Sequence, residues 1–576
     1  MSDLLIAFVD VDVFCINQQD IQERNQQVII MSEIYRAANR VVVWLGEGDT
    51  DSDWAIDRFH CSHFHQEFEK WSARAGSHAN QDTHELTAAG VAQASNVIRA
   101  SVFMMLAITN RRWWTRLWVY QEVMLTRQDP IFLCGRRFIS WMHYDYYHQR
   151  FMGCLNHKNN NSLTSGLRDA AMEEYSLKHP RSHINYVSSL GPVIKTWSNT
   201  RNMMRDHALN YLSLPMIYRS KQILSSSYAT DPRDYVYAVR GLLPSEEQAM
   251  IPVDYAKHPM EVYNDAMVAF WTSSQPVRKG ATVSNMSFHR PNEPGIPSWV
   301  PDLSAQKPGD VQGYNGVSEG PISGWREAPG IVAGVSRDRK VLELQGVIFD
   351  SIREYYLIHS EDTDPEDIND IITMGRIIFG ALGERIPVSS HLHMWDDIKK
   401  NNDKTRQIIQ TLTLEHPEVD YHKADYPEGD SPVDDSSKGN SISEEQARAA
   451  SVKIWEKWVN MSDEGMLEQV MSPSYIQELH LHTRNLLFSK IRHKKIFITN
   501  AGFIGVGPKH LEVGDMVVFP FGMNCPWLVR PEQEAVEFNQ LVSMVGCVFV
   551  WDLMHYKRLE WAMEKEVLSK TLIRIK

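Results

Sequence analysis

An apolar strand, a polar turn, an amphipathic helix and a second strand follow one another between Val11 and Gly46, and this order restricts the N-terminal region more than any bulk property. The first strand runs into Cys15-Ile16-Asn17-Gln18-Gln19-Asp20, and the helix leads to Val41-Val42-Val43-Trp44-Leu45-Gly46. Such a strand-helix-strand unit puts its polar loop at the carboxyl end of the first strand, where open α/β sheets keep their working groups. Asp20 is placed to cap the helix, with Glu23 completing a capping-box-like pair. Val28, Met31, Tyr35 and Ala38 recur at helical spacing as its buried stripe.

Beyond Gly46, the acidic turn Glu47 to Asp53 leads into a helix near Trp54, and helical pattern continues to about Thr109. Ile131 to Gly135 and Phe138 to Trp141 read as two short strands about a tight turn. An α/β domain over 1–150 is therefore expected, followed by a mainly helical region over 151–330. In the latter, Asp231 reads as an N-cap with Pro232 at the first helical position. Residues 331–576 read as an α+β region. Its 420–445 stretch is too polar for burial to offset ordering entropy and reads as a disordered acidic loop. Five short strands between Lys495 and Val550, separated by Gly, Pro and Asp turns, suggest a small β-barrel-like end closed by a helix after Asp552.

With 43% hydrophobic residues, 17 of them Trp, the chain can build real cores. A formal charge of -13 and no basic stripe argue against nucleic-acid binding, and Arg492-His493-Lys494-Lys495 reads as a solvated strand edge. Six scattered cysteines point to buried thiols in a reducing compartment. The N-terminus lacks signal-peptide features, and no apolar run approaches the roughly 18 residues of a membrane span. A cytoplasmic protein is the expectation.

Few residues suggest chemistry. On a helical wheel Trp114, Leu117, Trp118, Gln121 and Leu125 form one stripe, with Glu122 one turn after Trp118 at its edge, where a carboxylate can be half buried beside an indole. The same carboxylate could instead pair with Arg116 or Arg127. Asn17, Gln18, Gln19 and Asp20, at a strand end and helix start, could meet a ribose or phosphate, or could simply cap and turn. Asp12 lies within an apolar strand and needs a partner, structural or functional. His60, Cys61, His63 and His65 are close in sequence, but a helix divides them between faces, so no metal is expected. Cys15 and Cys134 read as small buried hydrophobes.

The run from Val11-Asp12-Val13-Phe14 through Asn17-Gln18-Gln19-Asp20, Glu23-Arg24, Gln27-Val28, Met31, Ile34-Tyr35 and Ala38 to Val43-Trp44-Leu45-Gly46 resembles the heart of the HET domain of fungal heterokaryon-incompatibility proteins. Ala229 to Ala238 and Ile296 to Asp302 resemble segments that follow HET domains. The resemblance implies an effector of non-self recognition and programmed cell death, acting through self-association and through other incompatibility or receptor proteins. HET domains have been proposed as distant relatives of TIR domains, which implies a TIR-like or flavodoxin-like parallel sheet. Some TIR domains cleave NAD with a Glu one helical turn after a Trp, a spacing that Trp118 and Glu122 reproduce. On that implication Glu122 is catalytic, while Asp12, Asn17, Gln18, Gln19, Asp20 and Trp118 bind NAD as substrate, with no metal or recycled cofactor. HET domains usually begin with a strand and loop like Tyr-x-Ala-Leu-Ser-Tyr-x-Trp-Gly, and only ten residues precede Val11. An incomplete domain is therefore expected, which leaves a non-catalytic adaptor or a degenerate relic as alternatives.

Overall fold

A computed structural model describes residues 16–76, 88–156, 162–178, 191–205, 227–273, 295–304, 333–357, 494–523, 525–532, 541–550 and 568–576, with a few isolated positions between them. Asp12, the strand before Cys15, the acidic 420–445 stretch and the helix expected after Asp552 lie outside the described residues. The chain divides into two compact units, Met1–Ala266 and Met267–Lys576.

In the first unit α1 spans Ile21–Ala37. Asp20 is its N-cap, accepting from the backbone N–H of Gln22 at 2.9 Å and of Glu23 at 3.1 Å. The capping pair differs from expectation in its second half: Glu23 Oε1 takes the N–H of Asn17 at 3.3 Å, while the Asp20 N–H goes to the Asn17 carbonyl. Met31, Tyr35 and Ala38 of the stripe are buried, whereas Val28 is only half-buried. Next come β1 (Val42–Trp44), α2 (Thr50–Phe59), α3 (Ser62–Gly76), α4 (Ala88–Thr109) and a 3-10 turn over Arg112–Thr115. They are followed by α5 (Val119–Met124), β2 (Ile131–Cys134) and β3 (Arg137–Ser140).

The three strands form a small mixed sheet in the order β1-β2-β3. β1 and β2 are parallel, with Val42 opposite Ile131 and Trp44 opposite Leu133, and β2 and β3 form an antiparallel hairpin. This is one parallel pair among the described residues and not the extended parallel sheet expected of a TIR-like domain. Gly135 turns the hairpin at φ +55°, and a Cβ there would lie 2.7 Å from the Gly48 nitrogen, so only glycine fits.

Helices supply the rest of the unit: α6 (Trp141–Asn156), α7 (Ser162–Lys178), α8 (Gly191–Arg205), α9 (Asp234–Arg240), α10 (Ser245–Met250) and the first half of α11 (Pro259–Thr272), whose remainder belongs to the second unit. α9 begins at Asp234, three residues later than its predicted cap. Asp231 accepts the backbone N–H of Arg233 at 3.1 Å and so ends a turn before the helix. Around Phe132 the core gathers Trp113, Trp114, Trp141 and Tyr144, with Trp197 stacked on Trp114 at 5.6 Å. Burying a ring such as that of Phe132 is worth about 1.5–3 kcal/mol.

Within α4, the 19-residue stretch Val91–Thr109 is long and apolar enough by length and composition to cross a membrane, contrary to the expectation that no apolar run approaches that length. In this fold 61% of it is buried, with Val97, Ile98 and Phe103 through Ile108 fully enclosed, as in the central helix of a packed unit.

In the second unit, β4 (Ala333–Val335) pairs with the 16-residue β5 (Leu342–Leu357). The remaining strands are β6 (Lys494–Thr499), β7 (Ile504–Pro508), β8 (Met516–Pro520), β9 (Trp527–Pro531), β10 (Leu541–Cys547), β11 (Phe549–Val550) and β12 (Lys570–Ile575). Following the pairings from β5 to β12, β10, β9, β8 and back to β5 closes a five-stranded ring. Only β10 and β12 run parallel in it. β5 contributes to more than the ring because it bends: register shifts fall between Ile348 and Asp350 and between Ile352 and Glu354. Its last residues then pair with β6, which pairs with β7, and β7 in turn pairs with β11. Such irregularities re-aim a strand at barrel corners. Phe497, Val517, Phe519, Leu528, Val545 and Val548 fill the interior. The strands expected between Lys495 and Val550 are all present. Lys494 is buried and Lys495 donates to the Leu511 carbonyl at 2.9 Å, so the basic run is not simply a solvated edge.

Candidate functional site

The continuous helix expected from Trp114 to Leu125 is interrupted. Arg116 is extended, at φ -86° and ψ 134°, because it bridges Tyr228: the Tyr228 N–H donates to the Thr115 carbonyl and the Leu117 N–H to the Tyr228 carbonyl. Trp114 therefore belongs to the 3-10 turn, and Trp118 caps the short α5. Trp118 keeps helical dihedrals, so Glu122 still follows it by one turn.

The two side chains nevertheless serve different neighbours. Glu122 is only 4% exposed, and its Oε2 accepts the indole N–H of Trp113 at 3.0 Å. The pairing indole is thus Trp113 and not Trp118, and the carboxylate is buried rather than half buried. Between them, Gln121 is buried and donates through Nε2 to the Ala238 carbonyl at 2.8 Å. At the far end of α5, the buried Arg201 guanidinium donates to the Val123 carbonyl and to the Gln128 carbonyl at 3.0 Å. A cation placed on the last carbonyls of a helix stabilises its carboxyl end.

Trp118 turns to a polar cluster built by α1, α9 and the segment after α10. Its Nε1 donates to Asp234 Oδ2 at 3.2 Å, and the Tyr255 hydroxyl donates to Asp234 Oδ1. The Arg24 guanidinium lies 3.5 Å from the centre of the Tyr255 ring and 3.0 Å from Asp231 Oδ2. Asn25 Oδ1 accepts the Tyr255 backbone N–H at 3.0 Å. Arg233 grips both oxygens of Asp231, at 2.8 and 2.9 Å.

Burial pushes the Asp234 carboxyl up to about 6, against the hydrogen bonds from Tyr255 and Trp118 and the Arg24 charge, which favour the anion. Burial, reinforced by the Asp234 charge, raises the Tyr255 phenol far above its ordinary range. For Asp231, burial works upward but the hydrogen bonds and charge of Arg233, with Arg24, prevail and hold it below the usual carboxylate range. Every carboxylate oxygen of Asp231 and Asp234 already receives a donor from the protein. The cluster's evident role is to fasten α1 to the segment over 231–255.

The amide-rich turn lies on the surface. Asn17, Gln18, Gln19 and Asp20 are exposed. Asn17 Oδ1 accepts the Gln19 N–H at 3.1 Å, and Asp20 is engaged as the cap. The structure thus gathers Asn17, Gln19 and Asp20 into one cap, ties Trp118 to Arg24 through Asp234, and places Glu122 against Trp113. Arg24, Asp234 and Tyr255 were not singled out by the sequence, although Asp231 and Asp234 lie inside a motif it flagged. Near the histidines the chain breaks between α2 and α3: His60 pairs with the Phe138 carbonyl at 2.8 Å and His65 with the Tyr147 hydroxyl at 3.0 Å. No group of three potential metal ligands occurs among the described residues.

Fold and site together define a modular protein, with an N-terminal α/β and helical unit braced by a buried Trp-Asp-Tyr-Arg network and a C-terminal barrel. Residues 3–122 match the family described as heterokaryon incompatibility protein (HET), and residues 439–557 match the Het-6 beta-barrel domain. The two matches support a fungal HET-domain protein. It is 23% identical over 565 residues to heterokaryon incompatibility protein 6, OR allele, of Neurospora crassa, a match covering 90% of this chain and 77% of that protein. No solved structure matches it. The ring-closing strands β5 and β12 lie outside the residues matched to the barrel family, and the Asp234 network joins Arg24, Asn25 and Trp118, within the residues matched to the HET family, to Asp231, Asp234 and Tyr255, which lie beyond them.

Proposed function

We propose that this chain is an effector of non-self recognition that triggers programmed cell death when genetically unlike fungal cells fuse. The observation that carries this reading is the pairing of a HET match with a Het-6 barrel match in one chain, alongside similarity to a heterokaryon incompatibility protein over nine-tenths of its length. In this reading the protein works in the cytoplasm, and the N-terminal unit acts by associating with a second copy or with another incompatibility or receptor protein. The test is expression in a filamentous fungus, followed by scoring the death of fusion cells formed with compatible and incompatible partners. Death in the incompatible pairing alone is the expected result; normal growth of both fusions at matched expression overturns it.

A second reading adds NAD cleavage, in which Glu122 and Trp118 serve the nicotinamide ribose and the turn over Asn17 to Asp20 meets the rest of the dinucleotide. What favours it is the retained one-turn spacing of Trp118 and Glu122. Its physical demand is clear, since the Glu122 carboxylate must exchange the Trp113 indole for a ribose hydroxyl before it can stabilise positive charge at the anomeric carbon. NAD consumption by purified wild type and by Glu122→Gln at high protein concentration decides it. Loss in the variant supports cleavage at Glu122, and equal turnover removes that residue from the chemistry. An inert wild type that still kills on overexpression indicates a non-catalytic adaptor.

A further inference from the structure

Two thiols meet at the rim of the barrel. Cys547 ends β10 and stands opposite Trp527 in the antiparallel β9–β10 pair, while Cys525 lies two residues before Trp527 in the turn entering β9. Cys525 therefore precedes by two the residue that faces Cys547, which brings it to the position diagonal to Cys547 across the pair. The chain is held in this arrangement by the Val548 N–H donating to the Pro526 carbonyl at 3.0 Å. The Cys547 thiol donates to the Val283 carbonyl at 3.7 Å and has Cys525 as its electrostatic neighbour, and neither cysteine is in a disulfide.

A diagonal pair in a regular ladder is slightly too widely spaced for a disulfide. Here Cys525 lies outside β9, in the turn, and the register of β10 shifts between Met544 and Gly546 just before Cys547. Both irregularities relax the ladder at the point where the sulfurs meet. No other cysteine with described side-chain surroundings has such a neighbour: Cys134 is buried beside Ser52, and Cys61 lies in the break between α2 and α3.

We propose that Cys525 and Cys547 form a reversible disulfide under a peroxide-class oxidant, cross-bracing the entry of β9 to the end of β10. Cys525 is enclosed and Cys547 is half-buried, so the oxidant reaches Cys547 first. The Cys547 thiolate attacks one oxygen of hydrogen peroxide, breaking the O–O bond and leaving a sulfenic acid and hydroxide, which takes up a proton as water. The Cys525 sulfur then attacks the sulfenic sulfur, forming the S–S bond and expelling a second water once its own proton has left. Two thiols and one peroxide give one disulfide and two waters, with two electrons passing from sulfur to oxygen. The neighbouring Cys525 and burial both hold the Cys547 thiol well above its ordinary range, so the first step is slow at neutral pH and accelerates as pH rises. The pair therefore answers a sustained oxidising load rather than a brief pulse.

The test treats the full-length protein with hydrogen peroxide, quenches in acid, alkylates under denaturing conditions, and maps the non-reduced digest by mass spectrometry. The expected result is a peptide pair linked through Cys525 and Cys547, lighter by two hydrogens than the sum of its parts, released by dithiothreitol, and forming faster at pH 9 than at pH 7. Recovery of both residues as alkylated thiols, or as separately over-oxidised residues without the link, overturns the proposal. Cys525→Ser provides a second arm read on the same map: Cys547 should then accumulate as sulfenic or sulfinic acid. Its recovery as an unmodified thiol under conditions that link the wild type overturns the assignment of Cys547 as the first sulfur attacked.

Discussion

The Trp118 indole N–H reaches the Asp234 carboxylate at 3.2 Å across 116 positions of sequence. That bond commits Trp118 to the network of Arg24 and Tyr255, and turns it away from the acid that follows it by one helical turn. α1, which carries the polar turn, is fastened by the same network through Arg24 and Asn25.

The network makes stability depend on pH. Asp234 has an ordinary value of 3.8 and is raised to about 6 in the fold, chiefly by burial. The folded chain then holds a proton that the unfolded chain releases, so this contribution is fully present below about pH 4 and is lost as pH rises through 6. The gap corresponds to something on the order of 3 kcal/mol. Asp234→Asn, which keeps an oxygen for Tyr255, should flatten this trend in urea midpoints measured from pH 4 to 7. An unchanged slope in the variant would assign the pH dependence to another group.

Glu122 tests a different kind of burial. Glu122→Ala leaves the Trp113 indole N–H without its acceptor inside the core and opens a cavity, which should cost about 2–4 kcal/mol. Glu122→Gln keeps an oxygen at the same reach and should lose less than half of that. The comparison is made by denaturant midpoint, and equal losses in the two variants would show that the Trp113 bond carries little of the stability.

Gly241 sits where three elements converge. Its φ of -63° suits any residue, so the constraint is space: a Cβ would lie 2.3 Å from Ser32 Cβ and 2.9 Å from Gln121 Oε1. Its carbonyl also accepts from Arg36 at 2.9 Å. Gly241→Ala should therefore destabilise the first unit by about 1–3 kcal/mol, despite the better helix propensity of alanine. A variant melting at the wild-type temperature would show that α1 can shift to make room.

Local signals in the sequence located the elements that local physics decides. Asp20 as a cap, the stripe through Met31 and Tyr35, the hairpin about Gly135 and the strands from Lys495 to Val550 could all be read in advance. What could not be read depends on distant partners. Arg116 is pulled extended by Tyr228, which breaks a helix that the wheel treats as continuous. β5 was missed because its two register shifts each reverse the inward face, erasing the period-two pattern of a strand. The parallel sheet expected from the strand-helix-strand pattern is not confirmed: the first strand of that pattern lies outside the described residues, and the one parallel pair among them joins the second strand, β1, to β2. At the candidate site, the one-turn relation of Trp118 and Glu122 was legible, whereas their separate hydrogen bonds depend on Trp113 and on Asp234.

In the barrel, Asp515 is 1% exposed and receives Arg530 at both oxygens, at 2.7 and 3.0 Å, together with the Glu512 N–H at 2.8 Å. Arg530 also holds the His510 carbonyl at 3.0 Å, tying β9 to the turn before β8. Asp515→Ala should cost about 3 kcal/mol, the lower end for a broken buried pair, because Arg530 is partly open to water. Thermal melting of the wild type, Asp515→Ala and Asp515→Asn measures it, with the asparagine variant expected between the other two.

Ring closure depends on β12, which lies after the residues matched to the barrel family. It joins β5 along Leu342 to Val347 and β10 at Leu541 and Val542, and no other described strand bridges those two edges. A chain ending at residue 569 should expose both edges, and open hydrophobic edges recruit strands from other molecules. Size-exclusion chromatography should show oligomers or aggregate, limited proteolysis should cut within β5 or β10, and a synthetic peptide of residues 570–576 added in excess should restore resistance. If the shortened chain stays monomeric and as protease-resistant as the full one, the ring is held by its interior packing, and β12 is a dispensable cover on an otherwise self-sufficient sheet.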